Sequence, residues 1–149
     1  MQHMESRGPV VAIGAIVLKD DRILLIRRGN PPNQGLWSVP GGKVRLGEKL
    51  QEAVRREIRE ECSIDCIPLD LYEVVERIYH TPDGEISYHY VIVDFLALWA
   101  GGEPIARDDA LDVGWYGLED LNGIQTTEGL SEVIHKLLLR YKSQLKAIS

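Results

Sequence analysis

Only two cysteines, Cys62 and Cys66, stand among the 149 residues, and none of His3, His80, His89 or His135 falls at a spacing that would complete a zinc site with them. Both thiols are therefore expected to be reduced and structural. The chain also lacks a basic excess. Its 17 Lys and Arg are outnumbered by 23 Asp and Glu, for a formal charge of -6, whereas a protein that grips a phosphate backbone carries a basic stripe. A nucleic-acid polymer is thus not expected as a partner, and any phosphate held here needs a metal or local arginines. No run approaches the roughly 18 apolar residues of a membrane span. Met1 to Arg7 lacks the apolar stretch of a signal peptide, so the expectation is a soluble, cytoplasmic protein with no membrane partner. Repeats and low-complexity tracts are missing as well. The serines lie in no elbow-like glycine context and neither cysteine has a neighbouring His, so nothing suggests a covalent nucleophile.

What is present is 44% hydrophobic and 27% charged, which suits one compact domain over residues 1–149 that buries about two-thirds of its unfolded surface. Val10 to Leu18 is a continuous, β-branched run expected of a buried strand, and Lys19-Asp20-Asp21-Arg22 turns it into a second strand over Ile23 to Arg28. A loop from Gly29 to Gly35 precedes a short strand at Trp37 to Val39. Leu69 to Tyr79 and Ile86 to Trp99, joined by Thr81-Pro82-Asp83-Gly84, predict a hairpin. Asp108 to Asp112 reads as loop and Val113 to Gly117 as a short strand. Leu130, Val133, Ile134, Leu137, Leu138 and Tyr141 form the apolar face of a closing helix. The fold class is α+β, with helices packed on a mixed sheet.

The most informative stretch runs from Gly41 to Ile64. Leu50, Val54, Ile58 and Cys62 recur every four residues and predict a helix with one narrow apolar stripe. Glu57, Glu60 and Glu61 fall at i, i+3 and i+4, which gathers three carboxylates on one patch. Like charges so placed cost about 0.2–0.5 kcal/mol per pair, so the patch calls for a cation. The plainer alternative is an ordinary charged outer face, to which Arg55, Arg56 and Arg59 would belong. Against it stands the lead-in: Pro40, Gly41 and Gly42 break regular structure, and glycines let backbone approach a ligand. A further acid, Glu48, precedes the helix. Mg2+ takes oxygen ligands from a few carboxylates and completes its shell with water and substrate phosphates.

Gly42, Glu48, Arg56-Glu57-Ile58, Glu60-Glu61 and Ser63-Ile64, with five, seven, one and one residues between the groups, resemble the signature of the Nudix hydrolases. The approach Gly35-Leu36-Trp37-Ser38-Val39-Pro40-Gly41 is similar to that family too. One position departs: Ser63 stands where the family usually has Gly, at a helix end where a left-handed cap favours Gly. The resemblance implies an α/β/α sandwich around a mixed β-sheet, with the signature as loop, helix and loop, and a hydrolase that splits a nucleoside diphosphate linked to another group using Mg2+ or Mn2+. It implies Glu60 and Glu61 as the metal-ligating pair, Glu57 as a further ligand or base, Arg56 as the residue orienting these acids, and the Gly41 carbonyl as the remaining protein ligand. Glu48 would support rather than coordinate. An acid from a loop outside the signature serves many members as base; Asp109 is the first choice here, with Asp112 and Glu103 behind it. Arg28 is either a solvated strand-end arginine or a holder of substrate phosphate.

Three functions compete at this point: a metal-dependent pyrophosphohydrolase, a catalytically silent sensor of a nucleotide derivative, and a metal-bound structural domain. Intact Glu57, Glu60 and Glu61 favour the first. Trp37, Tyr79, Tyr88, Tyr90 and Trp115 are candidates for stacking on a base, of which Trp37 is taken as substrate-binding. ADP-ribose or a similar sugar-linked nucleotide is slightly preferred over an oxidised nucleoside triphosphate. The partner is a nucleotide-derived small molecule, and a homodimer is allowed but not required.

Overall fold

The computed structural model describes residues 8–148, with side chains described as far as residue 140. Ten elements follow in order: β1 (Val10–Lys19), β2 (Arg22–Arg28), β3 (Trp37–Ser38), β4 (Gly41–Lys43), α1 (Leu50–Cys62), β5 (Asp65–His80), β6 (Ile86–Gly101), β7 (Ala110–Tyr116), a 3-10 turn (Leu118–Gly123) and α2 (Leu130–Ile148). The strands form one mixed sheet in the order β3-β2-β1-β6-β5, with β4 added to β1 and β7 to β2.

β1 is the axis. Its residues Ala12 to Leu18 are all buried, and it runs parallel to β6 from Val10 opposite Tyr90 to Leu18 opposite Leu98. Its other edge is shared. β2 pairs with its end, at Leu18↔Ile23, and β4 pairs with its beginning, at Ala12↔Lys43 and Gly14↔Gly41. Because side chains alternate along a strand, Ile13, Ala15 and Val17 face one way and pack with Ala53, Val54, Ile58 and Cys62 of α1. Ile16 and Leu18 face the other way and pack with Leu130, Ile134, Leu137 and Leu138 of α2. The result is an α/β/α sandwich with a core on each face of the sheet. Tyr141, expected on the same face of α2, lies outside the described side chains.

Three boundaries differ from the sequence reading, each through pairing at a distance. Gly41 and Gly42 form a short strand, β4, because β1 offers them a free edge. β5 begins at Asp65 instead of Leu69, since the chain leaves α1 straight into register with β6, Asp65 opposite Gly101. β7 begins at Ala110, so Asp112 is a strand residue opposite Arg27. No helix among the described residues is long and apolar enough to cross a membrane. Cys62 and Cys66 are both free and buried, and burial pushes both thiols up from their ordinary pKa, Cys66 to about 11.

Candidate active site

α1 is the platform. Glu52 accepts a hydrogen bond from the Lys49 N–H at 2.8 Å and closes its first turn, where an acid also complements the helix dipole. Its end is set by Ser63, which adopts a left-handed conformation at φ 64° and donates its N–H to Arg59 O at 3.1 Å. The Ser63 hydroxyl donates to Ile105 O at 3.2 Å. With the stripe Ala53, Val54, Ile58 and Cys62 pressed on the sheet, the acids between them are carried to one side.

Arg56 organises that side. Its Nε donates to Glu48 Oε2 at 2.6 Å and its Nη2 to Glu48 Oε1 at 2.9 Å; Nη1 reaches Glu57 Oε1 at 2.8 Å and Glu60 Oε2 at 3.4 Å, and Nη2 also reaches Lys43 O at 3.0 Å. Hydrogen bonding to Arg56 holds the Glu48 carboxyl well below the usual carboxylate range, and Glu48 in turn pushes the Arg56 guanidinium up. Glu48 is thereby neutralised by the arginine.

Glu57 and Glu61 differ from it. Both line a cavity of about 910 Å³ that opens beside Gly41 and Gly42. Glu61 is only 6% exposed; its Oε1 accepts the Gly41 N–H at 3.3 Å, and its other oxygen has no partner among the described residues. Burial, with Glu57 and Asp109 adding repulsion, raises its pKa to about 7 against the relief given by the Gly41 N–H and Arg28. Burial raises Glu57 too, and Arg56 opposes the shift. A Cβ on Gly42 would run into the Glu57 carboxyl, so glycine there is what lets the acid stand against the β4 backbone. Glu60 is turned away. It lies outside the cavity lining, 39% exposed, within 3.4 Å of both Arg45 and Arg56. The three acids read as one patch are therefore split, two facing the cavity and one facing arginines. Among the described residues no three His, Cys, Asp or Glu side chains converge as a ready-made metal cage.

Asp109 lines the same cavity, on a loop whose Arg107 N–H donates to Glu61 O at 2.9 Å. Its Oδ1 accepts from Asn30 Nδ2 at 2.7 Å, and its carbonyl accepts the Gly29 N–H at 2.8 Å. Arg28 also lines the cavity, its Nε tied to Pro32 O at 2.8 Å. Asp112 and Glu103, the alternatives to Asp109, do not line it. Nor does Trp37, expected from the sequence to touch the substrate. Trp37 pairs with Arg27, which puts its ring on the same face as Leu25, partly buried against the core beneath α2 at 5.0 Å from the Tyr116 ring. The next residue, Ser38, points the other way and does line the cavity. Trp115 likewise packs on the α1 core, its indole N–H buried without a partner, with Lys19 Nζ 5.5 Å from the ring. Tyr79, Tyr88 and Tyr90 are the aromatics that reach the cavity. Tyr88 and Tyr90 stack at 6.0 Å, and Asn33 donates to the Tyr79 hydroxyl at 3.2 Å. Asn30 and Asp94, both lining the cavity, escaped the sequence reading. Asn30 left no signal, whereas Asp94 interrupts the apolar run Val91 to Trp99 and could have been singled out on that ground.

The donor set suits a hard divalent cation. Two carboxylates, each with one oxygen free of hydrogen bonds among the described residues, face one space beside a glycine backbone, and burial raises both against the opposing pull of Arg56 on Glu57 and Arg28 on Glu61.

The family model for the NUDIX domain matches residues 8–137. The chain is 36% identical over 135 residues to an ADP-ribose pyrophosphatase of Methanocaldococcus jannaschii, across 91% of this chain and 76% of that protein. Among solved structures it resembles a MutT NUDIX hydrolase from Burkholderia pseudomallei, with a TM-score of 0.73 and 35% identity over 87% of this chain and 98% of the other. An 8-oxo-dGDP phosphatase of Mus musculus is 31% identical over 71% of this chain but only 31% of its own length. The chain belongs to the Nudix hydrolase family. It is a hydrolase of phosphoric anhydride bonds.

Proposed function

We propose that the protein is a metal-dependent pyrophosphohydrolase that cleaves a nucleoside diphosphate linked to a sugar, with ADP-ribose the leading substrate. The observation that carries the reading is the gathering of Glu57, Glu61 and Asp109 in the lining of one cavity. Glu57, Glu61 and the Gly41 carbonyl would hold Mg2+ or Mn2+, which when bound neutralises phosphate charge and lowers the barrier to water attack. Arg56 fixes Glu57 and, through Glu48, the loop leading into α1. Glu60 holds Arg56 from its outer side. Asp109, with Oδ1 occupied by Asn30, keeps its second oxygen to accept the proton of the attacking water. Arg28 places the diphosphate. The choice of ADP-ribose is supported by the 36% identity to the archaeal ADP-ribose pyrophosphatase.

Hydrolysis of ADP-ribose, of other sugar-linked nucleoside diphosphates and of oxidised and ordinary nucleoside triphosphates, compared with Mg2+ and with a chelator, tests each part. The expected products are AMP and ribose 5-phosphate, lost on chelation and on Glu61→Gln. Turnover that survives the chelator would sink the metal, and a triphosphate cleaved faster than every sugar-linked substrate would sink the substrate class.

A further inference from the structure

We propose that Asp94 selects the base of the substrate, its carboxyl accepting a hydrogen bond from the exocyclic amino group of an adenine-type ring. The proposal rests on the nucleoside diphosphate reading above. β6 lies between β1 and β5, and Asp94 sits opposite Gly14 on one side and Glu73 on the other. An acid in the middle of a central strand, surrounded by an apolar run, is costly unless it has a partner. Among the described residues the Asp94 carboxyl makes no hydrogen bond and no ion pair. Its neighbours make matters worse: Glu73 directly opposite carries the same charge, and Arg77 gives its own hydrogen bond to Glu76 O. Burial first, then Glu73, raises Asp94 to about pKa 7 against the pull of Arg77.

The backbone is shaped around this carboxyl. A Cβ on Gly14 would collide with Asp94 Oδ1 and lie 3.5 Å from Val39, so the glycine leaves the room the acid occupies. Both Asp94 and Glu73 line the same cavity as Glu57 and Glu61, yet the charges acting on the two ends are different. Those on Glu61 are Glu57, Asp109 and Arg28; those on Asp94 are Glu73 and Arg77. A phosphate is repelled from the Asp94 end, which must take a part of the substrate that is neutral and offers N–H or O–H. Ile16, Val39, Val75, Ile92 and Val133 line the cavity too. Hydrocarbon walls suit a flat heteroaromatic ring. The ring therefore lies at this end, and an amino group at its edge supplies the donor that Asp94 lacks.

The test compares ADP-ribose with its hypoxanthine counterpart, in which an oxo group replaces the amino group, and with its 2′-deoxy form on the adenosine side. The parent, Asp94→Leu and Asp94→Asn are measured with Mg2+, and AMP and IMP binding is measured calorimetrically. The parent is expected to prefer adenine in kcat/KM by about tenfold or more, the worth of one hydrogen bond to a charged or buried acceptor. Asp94→Leu should bring the two bases within about twofold of each other, by losing rate on adenine, while Asp94→Asn, whose amide oxygen still accepts, keeps part of the preference. An equal fall on both bases in Asp94→Leu, an unchanged ratio, or lost discrimination against the deoxyribose instead would overturn the proposal. Equal binding of AMP and IMP by the parent would overturn it whether or not hydrolysis is found. Failure of the parent to cleave any nucleoside diphosphate, with AMP still preferred over IMP, would overturn the hydrolytic reading and leave Asp94 as the base selector.

Discussion

Arg56 holds Glu48 with two arms of its guanidinium, Nε on one carboxylate oxygen at 2.6 Å and Nη2 on the other at 2.9 Å. Eight residues separate them, so this fork ties the loop before α1 to the helix while Nη1 remains for Glu57. Lysine offers a point charge with no fork. Arg56→Lys is therefore expected to lower the maximal rate by about tenfold or more with the fold retained, as followed by circular dichroism alongside steady-state kinetics. Unchanged turnover would place Arg56 among ordinary surface charges.

The proton affinity of Glu61 gives a pH dependence with a definite sign. Its folded pKa of about 7 lies above the ordinary 4.5, so the folded chain binds this proton more tightly than the unfolded one. Its contribution to stability is full below about pH 4.5 and is lost as pH rises to about 7. Glu57 is shifted in the same direction. In chelator, Glu61→Gln should raise the melting temperature of the protein more at pH 8 than at pH 5. Mn2+ should stabilise the parent more at pH 8 than at pH 5, since the cation takes the place of the proton. A difference between parent and Glu61→Gln that does not change with pH would contradict this account.

Asp109 is expected to act on the rate and hardly on binding. Asp109→Asn should lower kcat by about a hundredfold, within the roughly 10²–10⁴ range of general base catalysis, with little change in KM. Asn30→Ala, which frees Oδ1 without removing the acid, should cost less. If Asp109→Asn turns over like the parent while Glu57→Gln is inactive, the base belongs to the helix.

Ser63 offers a stability prediction independent of activity. Its left-handed backbone disfavours a side chain, while its hydroxyl recovers a bond to Ile105 O. Ser63→Ala keeps the strain and loses the bond, and should destabilise by about 1 kcal/mol. Ser63→Gly loses the bond but relieves the strain, and should stay within about 0.5 kcal/mol of the parent. Chemical denaturation of the three proteins distinguishes this order from its reverse.

Features carried by neighbouring residues were legible in the sequence. The stripe on α1, the left-handed Ser63 and the hairpin turn at Thr81 to Gly84 depend on a few consecutive side chains. The same holds for the continuous apolar run of β1 and the apolar face of α2. What could not be read depends on partners far along the chain. Nothing near Gly41 says that the beginning of β1 is free to pair with it, and nothing near Trp37 says that its register with Arg27 turns the ring into the core. The split of Glu60 from Glu57 and Glu61 is similar: helical spacing places all three together, and only the positions of Arg45 and β4 decide which face a cavity.

Among the described residues, β5 leaves one row of backbone N–H and C=O groups without a neighbouring strand, because it lies last in the sheet. Such a border, sixteen residues long and carrying Leu69, Leu71, Val74 and Ile78 exposed, is the kind of template on which other chains add themselves. Its register with β6 slips at Asp65/Cys66, Pro68/Asp70, Leu71/Glu73 and Tyr79/His80. Pro68 offers no donor, and Asp70, Glu73, Glu76 and Arg77 scatter charge among the apolar side chains. An incoming strand would find its longest unbroken register only from Glu73 to Tyr79, so the irregularities that complicate the hairpin also shorten the border along which copies of this chain could zip into ribbons.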